Sequence, residues 1–514
     1  MKGRTFISLF IVALFILIDF NCLKAQNNAF NFQNGLFGVG FQLFEQYDFS
    51  RSILKISDSD SLLSNPRPIR TYVWYPSKEN NQQKMLVNDF IELAKGDFCN
   101  GTTSNINCAE PVQLLKGFST TKLNSLKSQK TLSVHNAGFV DQTFPVIVVG
   151  QGLYYESPFT HFILCEYLAS HGYVVVSCPL MGTQYRLVNL NTVDLETLVR
   201  DLEFSLSVAL NLPIADKKSI GVIGYDMGGM AGMILSMRNP QVDAFISLDA
   251  GILYPHYSGL PKSHPNYSLS NLTIPWMHVT QARFCPGGFE KSHPLNTMKQ
   301  KVFGNNYLLL LNTTNHGAFT SYAMLGIENQ VPGYWENDYS DIAPFYEKVC
   351  TYSLKFLNAY LKNDKDSKKS ISEKSGNQGN NESFDIIGNR DLTFSKNQII
   401  NKIIIDGAQV GISAFYKIDK EFQDKVFADE NELNWLGYHF LYWWDRSTEA
   451  IQVFEFITEL FPKSANAFDS LGESYLNSGN KEKAIKYYQK SLELNPDNEN
   501  AKQMIDRLNK NQFK

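Results

Sequence analysis

The chain has 514 residues, of which 43% are hydrophobic and 19% charged. That composition excludes a largely disordered chain, and the length suggests about three domains or one large domain with an appendage. With 47 Lys and Arg against 51 Asp and Glu, the net charge of −4 leaves no basic footprint for nucleic acid.

Lys2 and Arg4 precede an apolar run from Phe6 to Ile18, which Asp19 ends. The run is too short to cross a bilayer and reads as the core of a signal peptide over residues 1–25, cut after Leu23-Lys24-Ala25. The expectation is therefore an exported protein, periplasmic or secreted. Cys22 as a lipid anchor is the less favoured alternative, because Phe20-Asn21 ahead of it are not small. Export permits disulfides. Cys99 and Cys108 flank a turn-rich stretch and form the best candidate pair, whereas Cys165 and Cys178 sit in apolar segments and read as buried thiols. No CxxC or Cys/His cluster suggests a metal, and no cofactor motif is present.

Residues 36–44 and 70–75 alternate and predict antiparallel strands. Residues 83–135 are polar, helical or irregular. From Pro145 the pattern changes to continuous apolar runs, the mark of strands covered on both faces. These are Pro145–Gly150, Gly172–Ser177, Ser219–Gly224, Val242–Leu248, Ile274–Thr280 and Tyr307–Leu311. Helical segments alternate with them at Phe159–His171, Asp194–Leu210 and Met227–Asn239. The alternation predicts a doubly wound, mostly parallel α/β sheet over residues 26–362. Residues 363–390 are polar and read as a linker. Residues 391–514 are expected to be all-helical. Within them Leu471-Gly472, Tyr475, Ala484, Tyr488, Leu494 and Pro496 echo Leu436-Gly437, Phe440, Ala450, Phe454, Leu460 and Pro462. The period is about 34–35 residues, with one extra residue in the first turn. It resembles the tetratricopeptide repeat, with copies at about 432–464 and 465–499.

The strand ending at Ile223 runs into Gly224-Tyr225-Asp226-Met227-Gly228-Gly229, and a helix follows. Strand, sharp turn and helix are the setting of a nucleophile elbow, in which Gly224 and Gly228 allow the close packing and the central residue, Asp226, is held in a strained backbone. Asp249 at the end of the next strand and His316 after the last strand complete the order nucleophile, acid, histidine. Backbone amides of Met227 and of Leu153, in the loop after Gly150, are the candidate oxyanion donors.

Residues from about 36 to 362 resemble the platelet-activating-factor acetylhydrolase branch of the α/β hydrolases, related to the dienelactone hydrolases. The matching stretches are Arg67–Pro76, Gly150-Gln-Gly-Leu153, Leu168–Tyr173, Gly224–Gly229 and Leu248-Asp-Ala250. The resemblance implies an α/β-hydrolase fold and cleavage of a short acyl ester by a Ser-His-Asp triad. The elbow, however, holds Asp226 where that family has serine. Three readings stay open: hydrolysis of a small ester-like substrate, a catalytically inactive binding protein, and Asp-nucleophile chemistry of the dehalogenase or epoxide hydrolase type. The expected partners are a small-molecule substrate and, through the repeats, a protein partner or a second copy. No transmembrane segment and no nucleic acid are expected.

Overall fold

The computed structural model describes residues 33–510 apart from 57–61, 79–81, 98–114, 116–117, 154–156, 184–187, 254–258, 282–296, 299–300, 302–303, 312–315, 326–338, 373–375, 378–381, 388–395 and several positions between 419 and 429. The segment expected as a signal peptide lies outside the described residues, as do Cys22, Cys99 and Cys108.

Two long strands, β1 (Gly38–Ile56) and β2 (Leu62–Ser77), form an antiparallel ribbon. A short strand, β3 (Ser133–His135), pairs parallel with β1. The apolar runs follow as β4 (Phe144–Gly150), β5 (Val174–Ser177), β6 (Ala215–Tyr225), β7 (Val242–Leu248), β8 (Trp276–Gln281) and β9 (Asn306–Leu311). Every residue of β4, β5, β8 and β9 is buried. Their continuous Val, Ile and Leu runs have helices to cover both faces, and each such side chain taken from water contributes roughly 1.5–3 kcal/mol. Helices Phe162–Ser170, Thr192–Leu210, Asp226–Arg238 and Tyr339–Leu361 supply that cover. Cys165, Cys178 and Cys350 are buried free thiols.

Two further strands follow the last of these helices: β10 (Gly376–Asn377) and β11 (Glu382–Ile387). Neighbour order across the sheet is β10-β11-β9-β8-β7-β6-β4-β5-β2-β1-β3. From β5 to β9 all pairings are parallel. The chain goes from β4 outward to β5, then returns to β6 on the other side of β4. That reversal makes β4/β6 the switch point, where the carboxyl ends of neighbouring strands open a crevice.

Residues 363–390, read from sequence as a linker, are not a free tether. Helix Lys365–Ser372 buries Ile371 in the core beside the sheet. β11 then pairs antiparallel with β9 along its whole length, from Glu382↔Leu311 to Ile387↔Asn306. The sequence signal fails because the strand is short and the residues flanking it are polar.

The C-terminal helices pair as the repeat period requires. Asn431–Tyr442 packs on Ser447–Leu460, and Ala465–Asn477 on Lys481–Leu494, with Glu499–Asn509 closing the stack. In both pairs the glycine faces an aromatic ring: a Cβ on Gly437 would lie 2.7 Å from Phe454, and one on Gly472 3.0 Å from Tyr488. The first turn carries its extra residue with Asp445 at φ 51°, where the second uses Gly479 at φ 82°. Asn401 Nδ2 donates to the Pro240 carbonyl at 2.8 Å, a contact between the helical part and the sheet domain.

Candidate active site

Register places the site before any side chain is considered. Gly150, the last residue of β4, is opposite Gly224 in β6. The loop after β4 and the turn after β6 therefore leave the sheet side by side. At Gly228 an added Cβ would stand 2.3 Å from the Gly150 carbonyl carbon, so only glycine lets this turn sit against that loop. Tyr225 ends β6, and Asp226 has φ 47°, a left-handed backbone that costs about 1–3 kcal/mol when a non-glycine residue must hold it. Asp226 also begins the Asp226–Arg238 helix, whose positive end favours an anion.

All of the residues expected at the site converge. Asp249, one residue beyond β7 and fully buried, is likewise left-handed with φ 41°. His316 opens a short 3-10 turn after β9. Its Nδ1 is 2.7 Å from Asp249 Oδ2, and its Nε2 stands 3.9 Å from Asp226 Oδ1, too far for a hydrogen bond. Leu153 N–H and the Met227 backbone both donate to the Asp226 carboxylate, Leu153 to Oδ2 at 2.9 Å. The two amides expected to receive a substrate oxyanion are thus in place, but they hold the protein's own carboxylate. A serine is one atom shorter and would leave them open; the second oxygen of aspartate reaches into the hole.

Charge follows from this packing. Burial pushes the Asp226 pKa up, while His316 and the Leu153 and Met227 amides pull it down; the net direction is up. Burial opposes charge on His316 as well, but the Asp249 hydrogen bond, the Asp249 charge and Asp226 outweigh it, and the imidazole pKa is raised.

Several supporting residues carry no motif in the sequence. Thr280 Oγ1 donates to Asp249 Oδ1 at 2.6 Å and Gln281 Nε2 to Oδ2 at 2.7 Å. Both end β8, whose pairing with β7 (Leu248↔Val279) carries them alongside Asp249. The only available signal is their place at the end of a neighbouring strand. Tyr225 stacks on His316, with ring centroids 4.6 Å apart, and its hydroxyl donates to the His316 carbonyl at 3.1 Å.

Two family models match parts of the chain. Residues 134–267, which include the elbow and Asp249, match the Dienelactone hydrolase family. Residues 470–498 match the Tetratricopeptide repeat. Among solved structures, a ferulic acid esterase from Streptomyces cinnamoneus is similar at 18% identity and a TM-score of 0.48, over 65% of this chain and 92% of that chain. No curated protein matches the chain. The chain thus has an α/β-hydrolase fold, of which residues 134–267 match the dienelactone hydrolase family, and a C-terminal tetratricopeptide repeat.

Proposed function

We propose that this hydrolase cleaves a small ester-like substrate, or a related bond from saturated carbon to a leaving group, with Asp226 as the nucleophile. The observation that carries the reading is the Leu153 N–H bond to Asp226 Oδ2 at 2.9 Å. It occupies the position where an acyl oxyanion would have to sit, which disfavours attack at an acyl carbon. It also leaves Oδ1 as the oxygen facing His316.

The chemistry follows from that orientation. An Oδ1 lone pair forms a bond to the substrate's saturated carbon, and the leaving group (a carboxylate, a halide or an epoxide oxygen) departs with the bonding pair. The product is an alkyl ester of Asp226. His316 then takes a proton from water, and the hydroxide adds to the ester carbonyl carbon. Negative charge develops on Oδ2, already aimed at the Leu153 and Met227 amides, so their stabilisation falls on the second step. Collapse expels the alkoxide, which takes the proton back from the imidazolium and leaves as the alcohol, and the acid proton left on Asp226 passes to solvent, which restores the carboxylate. Asp249 holds the imidazole and balances its transient charge.

Replacement of His316 by Ala tests the reading, because it removes the base for the second step and spares the first. Incubation of H316A with bromoethane, 1,2-epoxyhexane and methyl esters, followed by intact-protein mass and peptide mapping, is expected to show an alkyl adduct on Asp226. Absence of any adduct, together with absence of wild-type turnover, would favour the inactive binding-protein reading.

The signal-peptide pattern of residues 1–25 supports reading the activity as exported, and the repeats are read as a protein-binding or self-association module.

A further inference from the structure

One buried histidine next to the site takes no part in that chemistry. His161 ends the 3-10 turn Pro158–His161 and is fully buried. Its Nδ1 lies 2.7 Å from Gln151 Oε1. Gln151 Nε2 donates to Ser177 Oγ at 2.6 Å, and Ser177 Oγ to the Val149 carbonyl at 2.8 Å. This chain of donors runs in one direction and is anchored on the β4 backbone. Gln151 is two residues from Leu153 and begins the loop that carries it. On its other side the His161 ring packs on Tyr225, with centroids 5.1 Å apart, and Tyr225 stacks in turn on His316. The backbone of Phe319, in the turn that His316 opens, also acts on the His161 imidazole. Its Nε2 closes no hydrogen bond among the described residues.

Burial pushes the His161 pKa down; the Phe319 backbone opposes this and the nearby His316 adds to it, with the result at about 3. The ring is neutral at working pH. An unused buried imidazole is costly unless its polar atoms are needed where they are. Leucine would fill the space more cheaply.

We infer that His161 is a positioning residue that fixes the loop bearing Leu153 relative to the turn bearing His316, through Gln151 on one side and Tyr225 on the other. The inference rests on the reading of Asp226 and His316 as the reacting pair. It predicts that the two halves of the site are set by one side chain that never meets substrate.

The test uses the full-length chain with 13C-labelled histidine, His316 being assigned by the signal lost in H316A. His161→Phe keeps a ring and loses both nitrogens. His161→Asn keeps a donor at the position of Nδ1. In His161→Phe the His316 titration midpoint is expected to fall by at least about half a pH unit, because a ring without the Gln151 bond no longer holds the Leu153 loop and Tyr225 in fixed relation and the Asp249 bond loosens. His161→Asn, which keeps the Gln151 bond and loses the ring contact with Tyr225, is expected to recover at least about half of that shift. With a substrate found by the adduct screen, kcat of His161→Phe should fall at least about tenfold with KM within about twofold, and Asn should restore it. An unmoved His316 midpoint in folded His161→Phe, or the same shift in the Asn variant, overturns the inference. The midpoint needs no substrate, so it can be read even where the proposed chemistry fails.

Discussion

Leu153 and Asp226 are 73 positions apart in sequence and are joined by a hydrogen bond of 2.9 Å from the backbone amide of one to the carboxylate of the other. On the proposed reading the bond makes an oxyanion site part of the nucleophile. Exchange of this one side chain should therefore change the class of bond attacked.

Asp226→Ser empties the two amides and places a hydroxyl near His316. The variant is expected to gain hydrolysis of p-nitrophenyl acetate at least about tenfold above wild type, since one oxyanion donor alone is worth on the order of 2.7–4 kcal/mol. Release of p-nitrophenolate measures it. Asp226→Asn, which keeps the shape and loses the charge, should neither gain this activity nor form an alkyl adduct.

The raised His316 pKa sets the pH dependence. The base form is needed for the second step, so kcat should rise with pH through a midpoint above the ordinary histidine value of about 6.5. Asp249→Asn removes the main support of the charged ring and should bring that midpoint down. Stability runs the other way. A histidine whose folded pKa is raised stabilises the fold fully below its unfolded pKa, and the contribution is lost as pH rises through the folded value. Denaturant midpoints measured across this range should fall with pH in wild type and flatten in Asp249→Asn.

Asp97 gives a second linkage. It is fully buried and accepts from Arg70, from the Tyr72 hydroxyl and from Ser157 Oγ. Burial raises its pKa to about 6 against the pull of Arg70 and the hydroxyls. The folded state then binds a proton that the unfolded state has released, so this contribution is present below about pH 3.8 and lost as pH rises through about 6. Asp97→Asn should remove that slope from denaturant midpoints. The variant also removes one of the two carboxylates paired with the buried Arg70, leaving it Glu45 at 2.9 Å, so lower stability at every pH is expected with it.

In the repeats the two equivalent glycines should respond differently to alanine. Alanine gains about 1 kcal/mol of helix propensity over glycine. At Gly472 the new Cβ meets Tyr488 at 3.0 Å, and the gain and the crowding should nearly cancel. At Gly437 it meets the Phe454 ring at 2.7 Å, and overpacking of about 1–3 kcal/mol should win. Chemical denaturation of the two full-length variants measures the difference.

The sequence carries the parts of this site that depend on spacing. Gly224 and Gly228 mark the turn, and Asp249 and His316 follow strands whose apolar runs are long enough to recognise. The fate of the Leu153 amide is not legible, because it depends on whether the elbow side chain ends in one oxygen or two and on where the second one reaches. Thr280 and Gln281 are hidden for another reason. They support Asp249 from the adjacent strand, more than thirty positions away, and polar residues at a strand end have many other uses. Glu382–Ile387 reads as part of a polar tether because the strand has no apolar run of its own and completes an edge built by β9.

That added edge bears on how the protein is made. β9 is a row of leucines, Leu308 to Leu311, whose outer backbone groups pair, among the described residues, with Glu382–Ile387. During synthesis the hydrolase part stays open on that side until the chain has been extended past Ile387. A strand so apolar and unpaired is a template for joining other chains. The boundary for producing the hydrolase alone therefore lies beyond Ile387. A piece ended at residue 362, where the last large helix finishes, would expose the strand that leads to His316.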